Sequence, residues 1–244
     1  MLKEIGVLSH ADKNGFLPSI GKKPEPVFRE TIEILINNLC KTYKRHIYAI
    51  AVRGSVSRNT AVVGVSDIDI VVITRSPQNI KSTFINGFRI DISCLTKDEL
   101  KFSKKELWLK FTLAYSGYVV YQPFGKPLLS EIPKANINKN SFKHLNEVHT
   151  YNTYKNYWEK NPNKESCVWV MKGTLRALFE IIMIKINAYS DDIYICAKEL
   201  VQQFPKYKKQ IWEIANLVVY PSNCKNKIND LLSTVNLLLN KVPT

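Results

Sequence analysis

Two aliphatic runs, HIYAIAVR (46–53) and DIDIVVIT (67–74), flank the thirteen-residue stretch GSVSRNTAVVGVS, and this arrangement constrains the chain more than any other feature. Their β-branched and aromatic content predicts two strands joined by a loop that opens on Gly54-Ser55. The second strand carries two aspartates one residue apart. Side chains at i and i+2 share a face, so Asp67 and Asp69 point together while Ile68 and Ile70 point into a core. Two carboxylates on one face of an aliphatic strand repel each other and are costly to desolvate, a conflict that a divalent cation resolves.

A third carboxylate comes from STFINGFRIDISCL. Asn86-Gly87 is a turn signal between two alternating segments and predicts a hairpin. In its second arm Asp91 alternates with Ile90 and Ile92. If that arm lies beside the first Asp strand, Asp91 joins Asp67 and Asp69. Three carboxylates can hold two Mg²⁺ ions through oxygen ligands, with positions left for water and phosphates. Gly54 permits close backbone approach to a phosphate, Ser55 adds a hydroxyl and an N–H, and Arg58 is a candidate to neutralise triphosphate charge.

Around this unit, PEPVFRETIEILINNLCKTY predicts a helix opening at Pro26, KDELKFSKKELWLKFTLAYSG another, and YVVYQP a short strand. From Gly125 to Phe142 no periodicity is visible, and the segment reads as a crossing between a domain over 1–128 and one over 140–244. The second part carries no convincing strand alternation. Its helices are expected in FKHLNEVHTYNTYKNYWEK, ESCVWVMKGTLRALFEIIMIKINAYS, DDIYICAKELVQQF, YKKQIWEIANLVV and CKNKINDLLSTVNLLLNKV, with cap-like starts at Asn163 to Glu165 and Ser190-Asp191. Trp108, Trp158, Trp169 and Trp212, with Tyr151, Tyr154 and Tyr157, are expected to pack in the core. The fold class is α+β, a mixed sheet with flanking helices followed by a helical bundle.

Strand, Gly54-Ser55, loop, Ser66-Asp67-Ile68-Asp69 and a later strand with Asp91 together resemble the nucleotidyltransferase superfamily typified by DNA polymerase beta, over about residues 26–122. The gap from Gly-Ser to the first Asp is a residue or two longer than is usual in small-molecule members, and Asn59-Thr60 stands where a Gly is common. The order of the two parts is similar to aminoglycoside and other antibiotic nucleotidyltransferases. That resemblance implies a Mg²⁺-dependent enzyme moving an NMP group, most simply AMP from ATP, onto a hydroxyl with release of pyrophosphate. Asp67, Asp69 and Asp91 would be catalytic and hold metal, while Gly54, Ser55 and Arg58 would bind nucleotide. Lys172 and Arg176, one turn apart in WVMKGTLRALFEI, look like the helix that in such enzymes reaches the NTP phosphates.

Charge bears on the acceptor. The net +14 is spread evenly, with 18 Lys and Arg against 11 acids in residues 1–125 and 17 against 10 in the remainder. Such a surface attracts polyanions and repels a polycationic acceptor unless the cleft is acidic. A small molecule such as an antibiotic, an RNA or a protein all stay open as acceptors. So does a non-catalytic member of the toxin–antitoxin kind that acts by binding a partner. The five cysteines are dispersed without a C-x-x-C pair, which argues against structural zinc and a disulfide framework. With no signal-peptide-like run and no stretch near the ~18 apolar residues of a membrane span, a cytoplasmic protein without membrane attachment is expected.

Overall fold

The computed structural model describes residues 6–102, 107–138 and 147–239 and divides into two compact units, Phe16–Asn136 and the remainder of the chain on either side of it. In the first unit, helix α1 (Pro26–Tyr43) is followed by strand β2 (Ile47–Arg53), short helix α2 (Gly54–Arg58) and β3 (Ile68–Thr74). The hairpin β4 (Thr83–Ile85) and β5 (Phe88–Thr96) leads to α3 (Lys97–Phe102), α4 (Leu107–Ser116) and β6 (Tyr118–Tyr121). Part of the helix expected over KDELKFSKKELWLKFTLAYSG, residues 103–106, lies outside the described residues.

The sheet has the order β4-β5-β3-β2-β6, with β3 and β5 parallel and the other neighbours antiparallel. This is the expected mixed sheet. The central strands β2 and β3 alternate between two cores, to both of which β5 adds residues. Ile50, Val52, Ile68, Ile70 and Ile90 pack with Phe28, Ile32 and Leu35 of α1 on one face. Ala49, Ala51, Val71, Ile73 and Leu95 pack with Leu100, Leu109 and Leu113 of α3 and α4 on the other. Covering both faces explains why β2 and β3 read as nearly continuous apolar runs.

Two readings of this unit change. Gly54-Ser55 opens a helical turn rather than an irregular loop: Ser57 Oγ donates to the Gly54 carbonyl at 3.0 Å, and Asn59 ends the turn in the left-handed region at φ 59°. Asparagine tolerates that conformation better than most residues other than glycine. The segment after Gly125 is also structured. A 3₁₀ turn at Leu128–Ser130 sends Leu128 and Ile132 into the core beneath the sheet, and their spacing has neither strand nor helix period because the chain folds as a turn.

In the second unit, β1 (Ser9–His10) pairs antiparallel with β7 (Ala188–Tyr189). The helices are α5 (Glu147–Lys160), α6 (Lys164–Ile186), α7 (Ile193–Gln203), α8 (Lys208–Val219) and α9 (Lys225–Leu239). The expected starts of α5 from Phe142 and end of α9 at Val242 lie outside the described residues. Asn163 and Ser166 close a capping box on α6, as expected from sequence. For α7 the cap is Asp192, one residue beyond the expected Ser190-Asp191, with Oδ1 accepting from the Tyr194 and Ile195 N–H groups. Trp158 and Tyr151 are buried, as core packing requires, but Trp169 is 51% and Tyr157 47% exposed. The Trp169 ring meets both Tyr157 and Tyr154, a cluster near the surface rather than in the core.

Candidate active site

The residues with chemistry collect at one end of the sheet, where β2 finishes and β3 begins. Strand register brings three of them into one row: Arg53 of β2 lies opposite Asp69 of β3, and Asp69 lies opposite Asp91 of β5. Since Ala51 and Val71 point into the core under α3 and α4, their i+2 and i−2 neighbours Arg53 and Asp69 share that face. The register of the hairpin, the condition on which Asp91 depended, is the one that sets the two aspartates side by side.

Both carboxylates meet a guanidinium. Arg53 Nη2 donates to Asp69 Oδ1 at 3.2 Å, with the two side chains 21% and 30% exposed. Arg89 Nε donates to Asp91 Oδ1 at 3.2 Å in a more exposed pair. Asp67 directly precedes β3 and is exposed, two residues ahead of Asp69. Among the described residues no three His, Cys, Asp or Glu side chains stand close enough to hold a metal ion together. The Oδ1 atoms of Asp69 and Asp91 instead face arginines.

Gly54 is required where it stands. Its φ of +75° lies in the left-handed region, and a Cβ there would come within 2.4 Å of Asp69 Oδ2. The residue after Arg53 is therefore one that must have no side chain. Its missing side chain is what lets the backbone turn lie against the carboxylate. Ser55 follows at the surface of the turn, and its carbonyl accepts from Thr60 N–H at 2.9 Å. Arg58 ends α2, half-buried.

Gly54, Ser55, Arg58, Asp67, Asp69 and Asp91 thus belong to one unit, while Lys172 and Arg176 belong to the other. There they lie one turn apart on α6, Lys172 exposed and Arg176 half-buried. Arg53 is the residue of this row that the sequence alone does not single out. Its position immediately before Gly54 was a signal, but a strand-end arginine is ordinary until its partner sixteen residues on is known.

Residues 32–136 match the family model described as Nucleotidyltransferase domain. Among solved structures, the chain is similar to spectinomycin adenyltransferase AAD(9) from Enterococcus faecialis, solved with ATP and spectinomycin, at 11% identity and a TM-score of 0.61 over 87% of this chain and 99% of that one. A nucleotidyltransferase-like protein from Exiguobacterium sibiricum 255-15 aligns over 87% of this chain and 74% of its own at 13% identity, with a TM-score of 0.34, below what a shared fold requires. No curated protein matches the sequence. No described helix is long and apolar enough to cross a membrane. Residues 32–136 are thus a nucleotidyltransferase domain, and the chain shares its fold along most of its length with a spectinomycin adenyltransferase.

Proposed function

We propose that the enzyme transfers AMP from ATP to a hydroxyl of a small-molecule acceptor, in a Mg²⁺-dependent reaction that releases pyrophosphate. The observation that carries this is the register of Asp69 with Asp91 on adjacent parallel strands, with Gly54 against Asp69 Oδ2. The donor set fits a hard divalent cation, since it consists of carboxylate oxygens without thiol or imidazole. Asp69 and Asp91 would hold it from the row they share, and Asp67, exposed at the head of β3, would have to turn in to join them. When bound, Mg²⁺ supplies charge neutralisation to the phosphates and acidity to the acceptor hydroxyl.

The chain's own residues do the remainder. The Gly54 turn gives the polyphosphate backbone room to approach, Ser55 offers it a hydroxyl and an N–H, and Arg58 offers a positive charge. Asp91, in the row next to Asp69, would accept the proton of the acceptor hydroxyl as it attacks the α-phosphorus and the pyrophosphate departs. The adenyl donor and small acceptor are supported by the fold shared with an enzyme solved with ATP and spectinomycin. The charge of +14 favours an acceptor that is not itself a polycation.

Melting temperature with ATP, GTP, CTP and UTP, each with and without Mg²⁺, tests the reading, because a ligand that binds only the folded chain raises it by mass action. A Mg²⁺-dependent rise with ATP, lost in Asp69→Asn, is expected, followed by pyrophosphate release when the right hydroxyl compound is supplied. If no nucleotide shifts the wild type, nucleotidyl transfer by the isolated chain is refuted.

A further inference from the structure

We infer that Arg53 is a positioning residue of the transfer site: it ties down one oxygen of Asp69 so that only the other, on the Gly54 side, is presented to a cation. The inference rests on the reading of Asp69 as a metal ligand. The two oxygens of this carboxylate have different surroundings. Oδ1 accepts from Arg53 Nη2 at 3.2 Å. Oδ2 faces Gly54, at the point a Cβ would reach within 2.4 Å. A carboxylate free to rotate could chelate a divalent ion through both oxygens, whereas one held at Oδ1 offers a single ligand in a fixed direction, towards the Gly54-Ser55 turn.

Arg53 is held there at some cost to the fold. Its Nε is buried and has no hydrogen-bond partner among the described residues, and leaving a buried donor unsatisfied is costly. Arg89, paired with Asp91 in the same manner, is far more exposed and lies on the same strand as its partner, so its pair arises from strand alternation alone. The Arg53 pair is different. It requires β2 and β3 to be in register, and it places the cation in the residue next to Gly54. An arginine whose only task was surface charge could turn to solvent and satisfy Nε. Kept in the row, it fixes the plane of the Asp69 carboxylate and lowers the negative charge that a metal ion meets.

Mn²⁺ alone is the probe, its free concentration read by electron paramagnetic resonance, with wild type, Arg53→Met, Arg53→Lys and Asp69→Asn compared at equal folded fraction by near-ultraviolet circular dichroism. Removing a positive charge beside a divalent ion and freeing the second oxygen should tighten binding about tenfold in Arg53→Met. Arg53→Lys, which keeps the charge and one donor, should stay near wild type, and Asp69→Asn should lose the site. Mn²⁺ affinity in Arg53→Met equal to or weaker than wild type, with Asp69→Asn still defective, overturns the role of Arg53 and leaves the metal reading intact. Unchanged binding in Asp69→Asn overturns both.

Discussion

At the scale of single residues, Gly54 has the narrowest tolerance in the site. Two independent constraints act on it, a positive φ and the contact with Asp69 Oδ2. Gly54→Ala should lose about 1–2 kcal/mol of stability from backbone strain, and it should also displace the carboxylate. The expected outcome is a lowered melting temperature together with loss of the Mg²⁺-ATP stabilisation. A variant that is less stable but keeps its full response to nucleotide would show that the close approach has no bearing on binding. Asp67 and Asp69 were legible from alternation against Ile68 and Ile70, since the period of a strand is visible along the chain. Arg53 was not legible as a site residue, because its meaning lies in the neighbouring strand.

At the scale of elements, long periodic segments were read well and short ones were not. Helices α1 and α6 and strands β2, β3 and β5 carry enough apolar repeats to declare themselves. Helix α2 is a single turn beginning on Gly-Ser, residues that favour turns, and its stability comes from the side-chain bond of Ser57 and the left-handed cap at Asn59. The two-residue strands β1 and β7 could not be read at all, for they exist only as a pair formed by distant parts of the chain. Capping is where an element can be tested by itself. The Asn163 side chain accepts from the Ser166 N–H at 2.9 Å while Ser166 Oγ accepts from the Asn163 N–H at 3.1 Å. Asn163→Ala should cost about 1 kcal/mol, seen as a lower urea midpoint at unchanged slope. A midpoint equal to wild type would mean that α6 is held by packing alone.

At the scale of the whole molecule, each unit holds a titratable group, half-buried in one and buried in the other, that links its stability to pH. In the sheet unit, burial pushes the Glu131 carboxyl up, but the Tyr48 hydroxyl at 2.9 Å and Lys101 and Lys97 at 3.3 and 3.5 Å outweigh it and hold it below the usual carboxylate range. This stabilisation is present above the unfolded carboxyl's value and is lost as pH falls through the folded one. In the helical unit, burial, with the Glu159 charge adding, pushes the Tyr151 hydroxyl up to about 12 from 10.0. Its contribution is complete below the unfolded value and is lost as pH rises towards the folded one. Melting temperature against pH should therefore fall at both ends, less steeply in acid for Glu131→Gln and less steeply in alkali for Tyr151→Phe. Limbs that match wild type in slope would remove these groups as the cause.

The sequence by itself determined which residues alternate, where the carboxylates and glycines stand, and hence the sheet, the helical half and the Gly54-to-Asp91 motif, because these depend on periods of two and 3.6 residues within continuous segments. Tertiary structure alone decided that β5 runs parallel to β3 in the register that pairs Asp69 with Asp91, that Arg53 holds Asp69 Oδ1, and that Leu128 and Ile132 complete the core. Those outcomes depend on contacts between residues far apart in the chain, whose free energy is settled by packing and strand register rather than by any local pattern.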